Sequence, residues 1–205
     1  MGQYYVIACI PEGNKKVNVY EPDGGNKLME FSYLNNFTLD GICFKLYNKT
    51  KYVGFVGDYA EDTDDFYGKG SSYKYKDKLT GEKVWSKASY SISNTDVFDY
   101  TGKYLVNLDT KEYISFDEYR KKVAYIQNED DFIAHPLAIL TCSTNGKGGG
   151  DYAGINMDKV GIWSMCLLTI TDKEPEGFIN RQDLIFCEDI VNDPNHEGMF
   201  VLHKV

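Results

Sequence analysis

Apolar and polar positions alternate along this chain in short runs closed by turn residues, the pattern of β-hairpins. Residues 3–10 form an apolar run ended by P-E-G-N, and residues 16–21 alternate Val17 and Val19 with polar neighbours. Together they predict a hairpin. A second strand pair is predicted for 41–47 and 52–58 across N-K-T-K, and a further hairpin for 103–108 and 112–116 about D-T-K. Residues 60–72 pass from acidic to glycine-rich and read as a loop. Residues 73–78 and 82–92 flank L-T-G-E and read as a polar, exposed hairpin or arm. Later strands are predicted at 137–142, 160–170, 184–188 and 199–203.

One segment changes period. In F-D-E-Y-R-K-K-V-A-Y-I, residues 116–126, Phe116, Tyr119, Val123 and Ile126 fall at helical spacing. Asp117 and Glu118 occupy the first turn with basic residues after them, which suits the helix dipole. A shorter helix is expected at 28–34 and a turn at 180–184. The pattern therefore predicts an α+β fold, strand-rich, with an antiparallel or mixed sheet of hairpins and one or two packed helices. An internal echo refines it: Tyr5 and Tyr104 are 99 residues apart, as are Cys43 and Cys142. V-G-F-V-G-D-Y and V-G-I-W-S-M-C align through Val53 and Val160 at an offset of 107. This suggests a single domain of two pseudo-repeated lobes, about 1–65 and 100–205, with a tyrosine- and lysine-rich insertion at 66–98. The competing explanation is that hairpins resemble one another by patterning alone.

Composition narrows the class. With 42% hydrophobic and 15% aromatic residues over 205 positions, the chain can bury a real core and is not disordered as a whole. No apolar run approaches the roughly 18–20 residues that cross a bilayer. The start M-G-Q-Y-Y-V-I-A-C-I lacks a basic region followed by a long apolar stretch, so a secretory signal is not expected. Cysteines 9, 43, 142, 166 and 187 are odd in number, lie in apolar runs and form no C-x-x-C pair. They read as buried, reduced thiols, and a cytoplasmic location follows. The net charge is −9, and only Arg120 and Arg181 of the 22 basic residues are arginine. A negative field without guanidinium forks argues against duplex nucleic acid as partner and suits a basic protein instead.

Several segments share a pattern: M-G-Q-Y-Y at the start, K-L-M-E-F at 27–31, V-G-D-Y-A at 56–60, N-L-D-T-K-E-Y at 107–113, G-K-G-G-G-D-Y at 146–152 and the V-G-x-W of Val160 to Trp163. These resemble a group of uncharacterised bacterial and phage proteins. The resemblance implies a mobile-element setting and brings no assigned activity.

The sharpest candidate for chemistry is S-T-N-G-K-G-G-G-D-Y, residues 143–152. Consecutive glycines let backbone N–H groups converge on an anion, and a lysine adds a point charge. Asn145, Lys147, Gly148, Gly149, Gly150 and Tyr152 are thus candidate ligand contacts, against the alternative of a plain connection between strands. The run is neither a Walker A loop nor a dinucleotide fingerprint. Tyr67, Tyr73, Tyr75 and Tyr90 lie in a polar central region, and Tyr73 and Tyr75 join the candidate ligand set as stacking faces. The alternative for them is half-buried strand packing. The acidic run at 58–65 fails the spacing of a calcium loop and reads as solvated. His135 precedes a proline and is expected extended at the entry to a strand. A nucleophilic pair of Cys142 with His135 has no framing motif. No metal or cofactor is expected. The sequence supports a non-catalytic binder of a small phosphorylated, nucleotide-type ligand, sequestering a host signal by analogy with the mobile-element group. An acidic inhibitor or immunity-like protein masking a basic partner is the alternative, and an enzyme of unrecognised type is a third.

Overall fold

β1 (Tyr5–Pro11) is buried along both of its faces, and the architecture follows from that. Its side chains Tyr5, Ile7 and Cys9 enter one core, while Val6, Ala8 and Ile10 enter a second. Side chains alternate across a strand, so the sheet must carry a packed layer on each face. The structure is a computed structural model and describes residues 3–22, 27–32, 36–60, 66–76, 79–87, 90–91, 96–124, 132–133, 135–143, 152–154, 158–185, 187–188 and 200–202.

The other strands of the main sheet are β2 (Asn18–Glu21), β3 (Lys51–Gly57), β4 (Tyr90–Ser91), β5 (Tyr104–Asn107), β6 (Glu112–Ser115), β9 (Cys166–Thr171) and β10 (Ile179–Asn180). β7 (Phe132–Ile133) and β8 (Tyr152–Gly154) pair elsewhere, with β11 (Cys187–Glu188) and β12 (Phe200–Leu202) respectively. The main sheet runs β10-β6-β5-β9-β3-β1-β2-β4. Its outermost pairs, β2 with β4 and β6 with β10, are parallel, and the inner pairs are antiparallel. On one face lie a 3₁₀ turn at Leu28–Ser32 and the helices α1 (Phe37–Leu46), α3 (Phe116–Ala124) and α4 (Pro136–Thr141). The opposite face of the first half is covered by residues 58–60, 66–76 and 79–87, which include α2 (Gly81–Trp85). This is an α+β fold built on a strand-rich mixed sheet.

The order reads the same outward from either side of the β3–β9 pair. Each half runs hairpin, helix, central strand, then a short parallel edge strand. Tyr5 and Tyr104 open β1 and β5, and Phe37 and Pro136 open α1 and α4, both at a separation of 99. Lys51 and Cys166 open β3 and β9, 115 apart, and the register Lys51↔Leu168, Tyr52↔Leu167, Val53↔Cys166 maps onto itself under that shift. An axis through the Tyr52–Leu167 pair thus relates the two halves. The chain leaving each helix also bridges the other half's central strand, Tyr47 to Ile170 and Cys142 to Phe55.

Several sequence expectations fail, each for a physical reason. Residues 41–47 and 137–142 are not strands: they fall in α1 and α4. All six residues of α4 are buried, and α1 buries Leu39, Ile42 and Cys43 together with Thr38, Asp40 and Gly41. A helix enclosed on nearly every side loses the amphipathic period and reads as an apolar run. His135 is extended as expected, but it caps α4, accepting from the Leu137 N–H on Nδ1 at 3.2 Å. The counterpart cap is Asn36, whose Oδ1 accepts from the Leu39 N–H at 3.1 Å. Within 160–170 only the end is strand. Residues 158–165 make turns, where Gly161 has φ +70° and a Cβ would meet the Cys142 carbonyl oxygen at 2.3 Å. Val160 therefore does not match Val53; β9 stands in that place. Of residues 184–188, Leu184 ends a 3₁₀ turn at Gln182–Leu184 and Cys187 and Glu188 form β11. α3 forms where its period predicts it, with Phe116 and Tyr119 buried; the side chain of Val123 and residue Ile126 lie outside the described residues.

Candidate functional site

The segment between β3 and β4 has no equal in the other half, where β9 reaches β10 through 172–178 alone. It is also rich in lysine. Residues 66–87 contain six lysines and two acids, a surplus of four in a chain of net −9, leaving −13 on the remainder. The segment is not the exposed hairpin or arm that its polarity suggests, because its apolar residues Phe66, Tyr73, Leu79 and Val84 are buried against the sheet. Backbone polar groups brought into that contact need partners, and they have them. The Gly68 N–H donates to the Ser164 carbonyl at 2.8 Å, Ser164 Oγ to the Phe66 carbonyl at 2.5 Å and Ser71 Oγ to the Met165 carbonyl at 2.5 Å. Ser72 donates from both N and Oγ to Asp109, at 3.0 and 2.6 Å. Further along, Thr80 caps α2 by accepting from the Lys83 N–H, and Trp85 Nε1 donates to the Val56 carbonyl at 3.2 Å.

This anchoring assembles a connected group of tyrosine rings. Tyr67 and Tyr73 stack with centroids 6.1 Å apart and planes 11° off parallel. Tyr75 meets Tyr73 edge-on at 5.9 Å, and Tyr52 of β3 meets it at 5.1 Å. Tyr73, 5% exposed, is the floor of the group, and Tyr67 and Tyr75 are half-buried around it. Burial, with Tyr75 and Tyr52 adjoining, raises the Tyr73 hydroxyl above its ordinary pKa. A lysine stands at each end: Lys15 Nζ lies 5.0 Å from the Tyr75 ring centroid and Lys76 Nζ lies 5.2 Å from that of Tyr67. Both lysines are exposed, as are Lys16, Lys69 and Lys74. An exposed cation–π contact is worth about 0.5–1 kcal/mol, so these ammonium groups exchange readily for other partners.

Of the residues singled out from sequence, Tyr73 and Tyr75 meet here. Asn145, Lys147, Gly148, Gly149 and Gly150 lie outside the described residues, and Tyr152 is described only as backbone in β8. Sequence reasoning missed Lys15 and Tyr52, which reach the group from the β1–β2 turn and from β3. Their only sequence signal is the strand pairing that brings β1, β2 and β3 side by side.

A second polar cluster is enclosed between α1, α3 and α4. Tyr100 Oη donates to Asp40 Oδ1 at 2.7 Å and lies 3.7 Å from Cys43 Sγ. His135 is boxed by the rings of Tyr100, Phe116 and Tyr119, at 5.6, 5.8 and 5.4 Å. Because Nδ1 accepts the capping bond, Nε2 carries the proton, and neither it nor Asp40 Oδ2 has a partner among the described residues. Burial lowers the His135 pKa to about 3 and raises that of Asp40. The Cys142–His135 pair weighed from sequence is not formed: Cys142 Sγ donates to the Ile139 carbonyl at 3.2 Å. Burial also raises the Cys9 and Cys166 thiols to about 12 and the Cys43 thiol as well.

Among the described residues no helix is long and apolar enough to cross a membrane, and no group of three or more His, Cys, Asp or Glu is arranged to hold a metal. Comparison with protein-family models, with curated proteins and with solved structures finds no match for this chain.

Proposed function

We propose that the protein binds a small phosphorylated, nucleotide-type ligand on the tyrosine and lysine face, without transforming it. One observation carries the reading: Tyr67, Tyr73 and Tyr75 form a continuous ring group with Lys15 and Lys76 over its ends, on a lysine-rich stretch of an acidic chain. Flat aromatic faces take a base by stacking, and lysine takes phosphate as a point charge. The acidic remainder keeps other polyanions at a distance. In the mobile-element setting of the sequence resemblance, such binding serves to sequester a host signal.

Isothermal calorimetry against a panel of mononucleotides and short oligonucleotides tests this. Binding is expected to weaken in Lys76→Glu and Lys15→Glu, and to survive in Lys121→Glu, whose side chain on α3 pairs with Glu118 away from the ring group. No heat with any mononucleotide or short oligonucleotide of the panel would end the reading. The alternative of an acidic protein masking a basic partner draws support from the helical face. There Phe37 and Phe44 of α1 are 48% and 41% exposed, and Val97 is also exposed. Capture of a host protein that is lost in Phe44→Ser, with the nucleotide panel silent, would favour it.

A further inference from the structure

We infer that the ligand of this face is a short single-stranded oligonucleotide of about two to four nucleotides, neither a mononucleotide nor a long strand. The inference rests on the reading just proposed and adds a length to it. The steps of 6.1 Å from Tyr67 to Tyr73 and 5.9 Å from Tyr73 to Tyr75 place the outer rings at most about 12 Å apart. A stacked strand advances about 3.4 Å per nucleotide, so that distance holds about two to four. The cations are not gathered at one point, as a single terminal phosphate would require. Lys76 stands at the Tyr67 end and Lys15 at the Tyr75 end, on chain segments from different parts of the fold.

The lysines also cover the ring faces that a base would use. A base arriving at Tyr75 displaces the Lys15 ammonium from the ring, and the freed cation turns to the adjoining phosphate. The same exchange at Lys76 frees the outer side of Tyr67, whose inner side rests on Tyr73. Each end then supplies one stack and one charge, and a ligand must reach both ends to use both. A mononucleotide engages one end only. A long strand runs off the stripe onto the rest of a chain that carries a net −13, where its further phosphates meet repulsion.

The test measures binding of oligoadenylates and oligouridylates of increasing length, from the mononucleotide to a long homopolymer, by fluorescence anisotropy of an end label with unlabelled competition. Affinity is expected to rise about tenfold or more from one nucleotide to three, the worth of one or two added stacks. It should then level or fall as the strand lengthens. Removing two phosphate contacts with Lys15→Glu and Lys76→Glu together should flatten the dependence of log affinity on log salt by about 1.4 for three nucleotides, and the double variant should weaken binding of three nucleotides more than of one. Circular dichroism confirms that these exposed substitutions leave the fold intact. Equal affinity for one and three nucleotides in the parent overturns the length inference while the nucleotide-binding reading stands. Affinity that climbs steadily to the longest strand overturns it in favour of general single-strand binding. Silence with every oligonucleotide and every mononucleotide removes both.

Discussion

His135→Asn makes the sharpest test of the enclosed cluster, because it removes the imidazole and keeps a capping side chain. Asparagine already does this work at Asn36, the matching cap of α1, so the Leu137 N–H retains an acceptor. The magnitude follows from proton linkage. An imidazole with an ordinary pKa of 6.5 is held by burial at about 3 in the folded protein. Between those values the unfolded chain binds a proton that the folded one does not. Stability contributed by the neutral ring is thus complete above about 6.5 and is lost as pH falls toward 3, at about 1.4 kcal/mol per pH unit. From pH 6.5 to pH 5 the loss is about 2 kcal/mol, and it does not depend on the exact folded value. Asp40 acts with the opposite sign. Its folded pKa is raised above 3.8, so its contribution falls as pH rises through the window that begins there.

The smaller asparagine leaves a void among Tyr100, Phe116 and Tyr119, costing about 1–3 kcal/mol at every pH. Urea denaturation of parent and variant at pH 7.5 and pH 5 separates the two effects, since the difference between the proteins cancels Asp40. The variant should be the weaker at pH 7.5, and the gap should close by about 2 kcal/mol at pH 5. A gap of equal size at both pH values would refute the burial of a neutral imidazole.

Three other outcomes are expected. Gly68→Ala should destabilise by about 2 kcal/mol or more, because its Cβ would sit 2.4 Å from the Ile162 carbonyl oxygen and 2.9 Å from the Ser164 nitrogen, where only backbone could move; a melting temperature equal to the parent's would count against that contact. Thiol titration should find Cys9, Cys43, Cys142 and Cys166 unreactive in the native protein, as their burial requires, and about five free groups in denaturant; a disulfide in the isolated protein would contradict it. Arg181→Gln should cost about 1–3 kcal/mol in chemical denaturation, since it strips the guanidinium from Glu112, whose other oxygen accepts from Trp163 Nε1 at 2.8 Å and Thr110 Oγ1 at 2.7 Å; an unchanged midpoint would show that those two donors suffice.

Much of the sheet was legible because its strands keep period two and end in turn chemistry: β1 with β2 and β5 with β6 lie where alternation and turn residues put them. α3 was legible because one of its faces stays polar. α1 and α4 were not, since enclosure removes the contrast on which period depends. The tyrosine group was half legible. Tyr73 and Tyr75 alternate with Lys74 and Lys76 in a polar stretch, which marks them as unusual. Nothing local to that stretch foretells that Tyr52 and Lys15 complete the group, because those contacts are made by sheet register. Polarity was also misleading about exposure. Lysines crowd the segment, yet Tyr73 beneath them is almost wholly buried.

The comparison of the two halves bears on where function resides. A sheet flanked by α1 and α4, with a hairpin and a central strand on each side of one axis, accounts for the core without any help from lysine or exposed tyrosine. The second half closes its edge through the short 172–178 connection. The first half reaches the same kind of edge through a segment more than three times as long, laid across the sheet and fixed there by Gly68, Ser71, Ser72 and Trp85. Stability alone would be served by aliphatic cover at that face, since burial of apolar area is indifferent to charge. The segment instead concentrates a surplus of four positive charges on a chain that is otherwise strongly acidic, and sets Tyr73 against Tyr52, Tyr75 under Lys15 and Lys76 over its own Tyr67. Charge gathered against the field of the whole molecule costs stability through the crowding of like groups, and is recovered when an anion binds. The asymmetry between the halves and the surplus of lysine thus coincide on one face, and a ligand contact explains both.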